Sequence, residues 1–161
     1  IKFGIKIEKW INRIVDNHLS VVSIKGKESN LWMDFDNKKI VFGGNGEGLK
    51  DIDNMFRIVN DAYYLEAKSS LDLDTEKGPA TIEKVEAITE SLRESGKYSS
   101  VTGKIISPFW EYEKNIPIKS AIKKYMKKGG VMFFKEFSEL LDLGLTKETY
   151  EALCKEMGKL L

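Results

Sequence analysis

The order of the segments along the chain predicts an α/β domain in which helices flank a central mixed β-sheet. Apolar residues alternate in the manner of strands at 51–58 and 62–68, and two further strand-like segments follow at 99–107 and 130–134. Segments with apolar residues at helical spacing precede, separate and follow these strands. We therefore expect the four strands to form the sheet and the helices to cover its faces.

The segments before the central sheet begin with an amphipathic helix over residues 4–17. Its apolar residues at helical spacing are Ile5, Trp10, Ile11, Ile14 and Val15. Residues 20–25 and 31–35 alternate as strands, and 39–43 forms a third short one. The glycine-rich segment 43–48 lacks the Gly-Lys-Ser/Thr ending of a nucleotide-binding loop, so we expect a mobile loop there.

The segments after the hairpin alternate between helices and strands. Residues 69–78 are typical of a loop, Pro79 is expected to open a helix, and Gly96 is expected to end it. The predicted buried stripe of that helix is formed by Ile82, Val85, Ile88 and Leu92. Three further helices are predicted over residues 117–128, 135–143 and 146–160.

Length and composition favour one domain spanning residues 1–161. A chain of 161 residues with 42% hydrophobic content can bury most of its apolar surface, and no long linker divides it. The sequence shows no transmembrane segment, signal peptide or internal repeat. A single cysteine, Cys154, favours a reducing, cytoplasmic location. Because the chain begins at Ile1 and not at Met, we expect it to be a fragment of a longer protein.

The charge of the chain argues against binding nucleic acid through bulk attraction, because the net charge is only +1. Its distribution is less even, since Lys119, Lys123 and Lys127 recur every four residues on the predicted helix after Pro117. Two interpretations stay open. The lysines form either a solvated helix face or a surface that contacts DNA phosphates.

The segment 50–68 is the most informative part of the sequence, because it can form one β-hairpin. Asn60 and Asp61 tolerate the backbone of a two-residue turn, which would place Val59 opposite Ala62. The same register predicts that Asp53 lies opposite Lys68.

The predicted hairpin brings two carboxylates and an amine to one face. Side chains alternate along a strand, so Glu66 shares the face of Lys68 and lies diagonal to Asp53, about 7–8 Å away. Mg²⁺ binds one or two carboxylates together with phosphate oxygens, and a nearby ammonium can orient the attacking water. Asp51 shares the face of Asp53 and is a rival for the metal position or a group supporting it. The alternative is an ordinary hairpin with charges paired across its strands.

Asp53, the strand after it, the turn and Tyr-Tyr-Leu-Glu-Ala-Lys at 63–68 together resemble the PD-(D/E)XK signature of restriction-endonuclease-like nucleases. The chain departs from the nominal motif at Ile52, where the signature has proline. The segment from 101–110 to 130–141 is similar to the second half of type II restriction enzymes. The resemblance covers roughly residues 50–141.

The resemblance implies a restriction-endonuclease-like fold and a site in which Asp53, Glu66 and the Ala67 carbonyl bind Mg²⁺, with Mn²⁺ able to substitute. Lys68 then serves the attacking water. In some related nucleases a glutamate on the first helix is a further ligand, which makes Glu8 a candidate; the alternative for Glu8 is an exposed surface residue. His18 is the only histidine, so a histidine-rich zinc site is excluded.

The expected activity is hydrolysis of DNA phosphodiester bonds by the cleavage domain of a type II restriction enzyme. A homodimer or transient dimer would explain double-strand cleavage. Two alternatives remain: a nuclease of DNA repair, recombination or RNA cleavage with the same site, and a catalytically inactive nucleic-acid-binding module.

Overall fold

Two β-sheets and five helices make up the described protein, which the computed structural model covers at residues 2–24, 30–52 and 54–159. The elements in chain order are α1 (Lys2–Asn17), β1 (Val21–Ser23), β2 (Leu31–Asp34), β3 (Lys39–Phe42), β4 (Lys50–Asp51), β5 (Met55–Ile58), β6 (Asp61–Ala67), α2 (Lys77–Glu94), β7 (Ser100–Ile106), α3 (Ser120–Lys127), β8 (Val131–Met132), α4 (Phe134–Leu140) and α5 (Lys147–Lys159).

The central sheet has five strands in the order β1-β5-β6-β7-β8. The pairs β1–β5 and β5–β6 are antiparallel, whereas β6–β7 and β7–β8 are parallel. α2 connects β6 to β7, as a parallel pair requires. The predicted mixed central sheet flanked by helices is therefore confirmed, and β1 joins it as an edge strand that was not assigned to it from the sequence.

The two faces of the sheet are covered by different helices. On one face, α2 packs through Val85, Ile88 and Leu92 against a core that includes Ala62 and Tyr64. The core of the opposite face combines residues of α1, α4 and α5 with the other side of the strands. Its buried members include Ile7, Ile11, Phe56, Leu65, Ile106, Phe137 and Tyr150. Each large apolar side chain that is fully buried contributes about 1.5–3 kcal/mol.

α2 lies unusually close to β7 at Gly103. A Cβ atom added to this glycine would lie 1.7 Å from Thr89 Oγ1, so the close approach requires the absence of a side chain. Asp74 precedes the helix and accepts the backbone N–H groups of Glu76 and Lys77 at 3.0 and 2.8 Å. These hydrogen bonds from Lys77 and Glu76 lower the pKa of the Asp74 carboxyl. The helix begins two residues before Pro79, where the sequence predicted its start.

The predicted continuous strand 51–58 was wrong, because the chain divides between two sheets there. Lys50 and Asp51 form β4, which pairs with β2 in a separate three-stranded sheet of order β3-β2-β4. β5 starts only at Met55. Between them Ile52 is buried and Asn54 has a φ of +48°, a left-handed conformation that ends regular strand geometry.

The register of the hairpin also differs from the prediction. The observed pairs are Ile58↔Asp61 and Arg57↔Ala62, so the turn residues are Val59 and Asn60. The predicted pairing of Val59 with Ala62 was wrong, although odd residues of β5 still share a face with even residues of β6.

The reason for this register lies in contacts with the start of β7. Asn60 donates its side-chain amide to Ser99 Oγ at 3.0 Å, and Ser100 Oγ donates to Asp61 at 2.6 Å. Val59 takes the remaining turn position with a φ of +56° and is 80% exposed. These partners are 39 residues away in the chain, and the turn sequence does not encode them.

The predicted helices after the central strands are present with shorter limits. The helix predicted from 117 begins at Ser120, because Lys119 is still extended, with φ −77° and ψ 160°. α4 and α5 occupy most of the predicted 135–143 and 146–160.

Candidate metal centre

The candidate centre lies where β6 ends, at the edge of the sheet formed by the carboxyl ends of its parallel strands. β6, β7 and β8 run in one direction, so their last residues meet at this edge. The ladder extends one residue beyond β6, since Lys68 N–H donates to the Ile106 carbonyl at 3.1 Å. In open α/β sheets this edge is where ligands bind.

The Glu66 carboxylate is oriented by two donors on one of its oxygens. The Lys84 ammonium lies 2.7 Å from Glu66 Oε1, and the Tyr64 hydroxyl donates to the same oxygen at 3.1 Å. The Glu66 side chain is only 13% exposed, so these bonds act in a partly desolvated setting. No hydrogen-bond donor in the described ranges reaches the other oxygen, Oε2. One oxygen is thus fixed and the other is left to accept a ligand.

The Ala67 carbonyl points to the opposite side of β6 from β7. The C=O of Ala67 and the N–H of Lys68 belong to one trans peptide and point in opposite directions. Because that N–H donates to Ile106 on β7, the Ala67 carbonyl faces the β5 side. The β5–β6 ladder ends with Met55↔Tyr64, before this carbonyl.

Lys68 follows Glu66 on the same face of the strand, and its side chain is half-buried. No described side chain lies within ion-pair distance of its ammonium. Asp53, the other predicted catalytic carboxylate, falls outside the described residues, and so does its predicted position opposite Lys68.

Asp51 and Glu8 are not brought together with Glu66 by the described contacts. Asp51 pairs with Trp32 in the three-stranded sheet, so it does not continue into β5 as the predicted strand 51–58 requires. Glu8 is half-buried on α1, which packs on the face of the sheet opposite to α2 and Glu66. His18 directly follows α1, and its Nε2 lies 2.5 Å from the Leu141 carbonyl oxygen.

The oxygen atoms described at this edge are of the kind that a hard cation binds. Mg²⁺ takes oxygen ligands and often uses one or two carboxylates with water, and Glu66 Oε2 and the Ala67 carbonyl are oxygens of this kind. Over residues 2–24, 30–52 and 54–159 there is no cluster of three histidine, cysteine, aspartate or glutamate side chains able to hold a metal. Asn54, next to position 53, has a buried side-chain oxygen with no hydrogen-bond partner among the described atoms.

The predicted lysine stripe lies on the exposed side of α3. Lys123 and Lys127 are exposed, and Ile122 is buried on the other side of the helix. Lys119 precedes the helix, and its ammonium is 3.4 Å from Asp72 Oδ1 in an exposed ion pair. An exposed pair of this kind contributes little to stability, so Lys119 can exchange Asp72 for a phosphate or for water at little cost. Both interpretations of the stripe therefore stay open.

Lys84 is the site residue that sequence reasoning missed. A signal was present, because Lys84 lies four residues before Ile88 and so borders the apolar stripe that faces the sheet. That position identifies a lysine next to the core. Its partner Glu66, 18 residues earlier in the chain, is known only once β6 and α2 are packed together.

Comparisons with protein-family models, with curated proteins and with solved structures found no match to this chain. No helix in the described part of the chain is long and apolar enough to cross a membrane.

Proposed function

We propose that this protein is a metal-dependent DNA endonuclease with a restriction-endonuclease-like fold, and that it serves as the cleavage domain of a type II restriction enzyme. The observation that carries the proposal is the arrangement at the end of β6. Glu66 is oriented through one oxygen, the Ala67 carbonyl faces the β5 side beyond the last pair of the β5–β6 ladder, and Lys68 follows on the face of Glu66. The sequence Glu-Ala-Lys thus offers two oxygen donors and an ammonium within three residues.

Each of these groups has a role in the proposed reaction. Glu66, Asp53 and the Ala67 carbonyl would hold Mg²⁺, or Mn²⁺ in its place. When bound, the cation supplies Lewis-acid chemistry, withdrawing electron density from a phosphate oxygen and making water a stronger nucleophile at neutral pH. Lys68 would position the attacking water for in-line displacement at phosphorus. The exposed lysines of α3 would contact DNA phosphates, and a homodimer or transient dimer would allow both strands to be cut.

A second candidate function is a nucleic-acid-binding module without catalysis. The ion pair between Glu66 and Lys84 favours it, because that pair already compensates the carboxylate charge without a metal. In this case Glu66 serves the packing of α2 on β6.

Plasmid nicking separates the two functions. We expect the protein to relax supercoiled plasmid in Mg²⁺ or Mn²⁺ and to stop when the cations are chelated. A matched RNA substrate distinguishes the DNA enzyme from an RNA nuclease with the same site. Binding of DNA without metal-dependent nicking would favour the non-catalytic module and contradict the nuclease.

A further inference from the structure

Lys84 forms an ion pair with Glu66, the carboxylate that the proposed function takes as a metal ligand. The ammonium is 2.7 Å from Glu66 Oε1, and the two side chains are 40% and 13% exposed. It is the shortest of the ion pairs among the described residues. The Glu66 carboxylate is also more buried than the acidic partners of the other described ion pairs, which are 44–62% exposed.

The geometry divides the carboxylate between two tasks. Lys84 and Tyr64 both bond Oε1, so they fix the orientation of Glu66 and direct Oε2 away from themselves. A divalent cation that binds Oε2 shares this carboxylate with the ammonium. Two positive charges on one partly desolvated carboxylate repel each other more strongly than they would in bulk water.

We propose that Lys84 is a built-in counter-ion of Glu66 that weakens the binding of divalent cations at this centre and so sets the metal concentration at which the protein works. The proposal rests on the proposed function, because it takes Glu66 as a metal ligand. Without metal, Lys84 compensates the Glu66 charge and holds α2 against β6. With metal, the ammonium raises the concentration of cation needed for occupancy. Lys84 acts on the metal only through its contact with Glu66, so it is a positioning residue.

Calorimetric titration with Mn²⁺ in the absence of DNA tests this role without any measurement of cleavage. Lys84→Gln removes the charge and keeps a side chain that can donate to Glu66. We expect Lys84→Gln to bind Mn²⁺ at least about ten-fold more tightly than the wild type, the effect of roughly 1.4 kcal/mol of relieved repulsion. Lys84→Arg keeps the charge and should leave the affinity near that of the wild type.

Lys104→Gln is the matched control. Lys104 lies on β7 and pairs at 3.5 Å with Glu136, which belongs to α4 and not to α2. The substitution makes the same charge change and should not alter Mn²⁺ affinity. Unchanged or weaker Mn²⁺ binding in Lys84→Gln would overturn the proposal. The thermal shift caused by Mn²⁺ gives a second readout and should be larger in Lys84→Gln than in the wild type.

Glu66→Gln distinguishes a failure of this inference from a failure of the proposed function. If Glu66→Gln loses Mn²⁺ binding while Lys84→Gln behaves as the wild type, the metal site stands and the counter-ion role of Lys84 falls. If Glu66→Gln binds Mn²⁺ as the wild type does, Glu66 is not a ligand and both proposals fall.

Discussion

At the scale of single residues, Glu66 is held in one orientation by two neighbouring donors. The Tyr64 hydroxyl and the Lys84 ammonium bond the same oxygen, so the side chain loses rotational freedom before any ligand binds. Tyr64 is itself buried in the core beneath α2, which makes this donor rigid. Preorganisation of this kind lowers the entropy lost when a ligand binds.

Lys68 provides the residue-scale prediction for catalysis. Lys68→Ala should lower the single-turnover rate of cleavage by at least about a hundred-fold, because its ammonium is proposed to position the attacking water. DNA affinity should fall only slightly, since one phosphate contact is a small part of the total. Rapid-quench kinetics and a binding titration separate the two quantities. A loss confined to binding would make Lys68 an anchoring residue and assign water activation to another group.

At the scale of elements, the contact of α2 with β7 determines where Lys84 lies. Gly103→Ala should reduce the free energy of unfolding by about 1–3 kcal/mol, because the new Cβ would overlap Thr89. Chemical denaturation measures this change. Gly78→Ala is the control: its Cβ would meet no heavy atom closer than 3.6 Å, and the substitution favours the helix. Equal stability of the two variants would show that α2 does not pack as closely as described.

The lysine stripe of α3 gives a second prediction at this scale. Replacing Lys119, Lys123 and Lys127 with Ala removes up to three phosphate contacts. The slope of log affinity against log salt should then fall by up to roughly 2.7, since each contact contributes about 0.9. DNA-binding titrations at several salt concentrations give the slope.

A matched triple variant controls for net charge in that experiment. Lys9, Lys39 and Lys155 are also exposed but lie on other elements, so their replacement with Ala changes the charge equally. Equal slopes in both triple variants and the wild type, with the fold confirmed by circular dichroism, would identify the α3 stripe as a solvated face.

The elements were largely predictable from the sequence because their signals are local. The stripe of Ile82, Val85, Ile88 and Leu92 predicted α2. The last three side chains are buried, and Ile82 is partly buried against the same core. The hairpin register was not predictable, because Asn60 and Asp61 are held by Ser99 and Ser100, which are distant in the sequence. The break of the strand after Asp51 likewise depends on pairing with β2, a tertiary contact.

At the scale of the whole molecule, the candidate site was predictable only in part. The adjacency of Glu66 and Lys68 on one strand follows from side-chain alternation and holds in any register. The Lys84 contact needed the packing of α2, and the Asp51 position needed the second sheet. Local alternation therefore identified the strand that carries the site, whereas the groups around it depend on how the layers assemble.

The central claim is that Glu66 is a metal ligand of a nuclease, and the rate of Mg²⁺-dependent plasmid cleavage tests it most directly. Glu66→Gln preserves the size of the side chain and removes the charge that binds the cation. We predict that this substitution lowers the cleavage rate by at least about a hundred-fold, or 2.7 kcal/mol in activation free energy, while circular dichroism shows an unchanged fold. Asp53→Asn should behave in the same way. Cleavage by Glu66→Gln within a few-fold of the wild-type rate would contradict the claim.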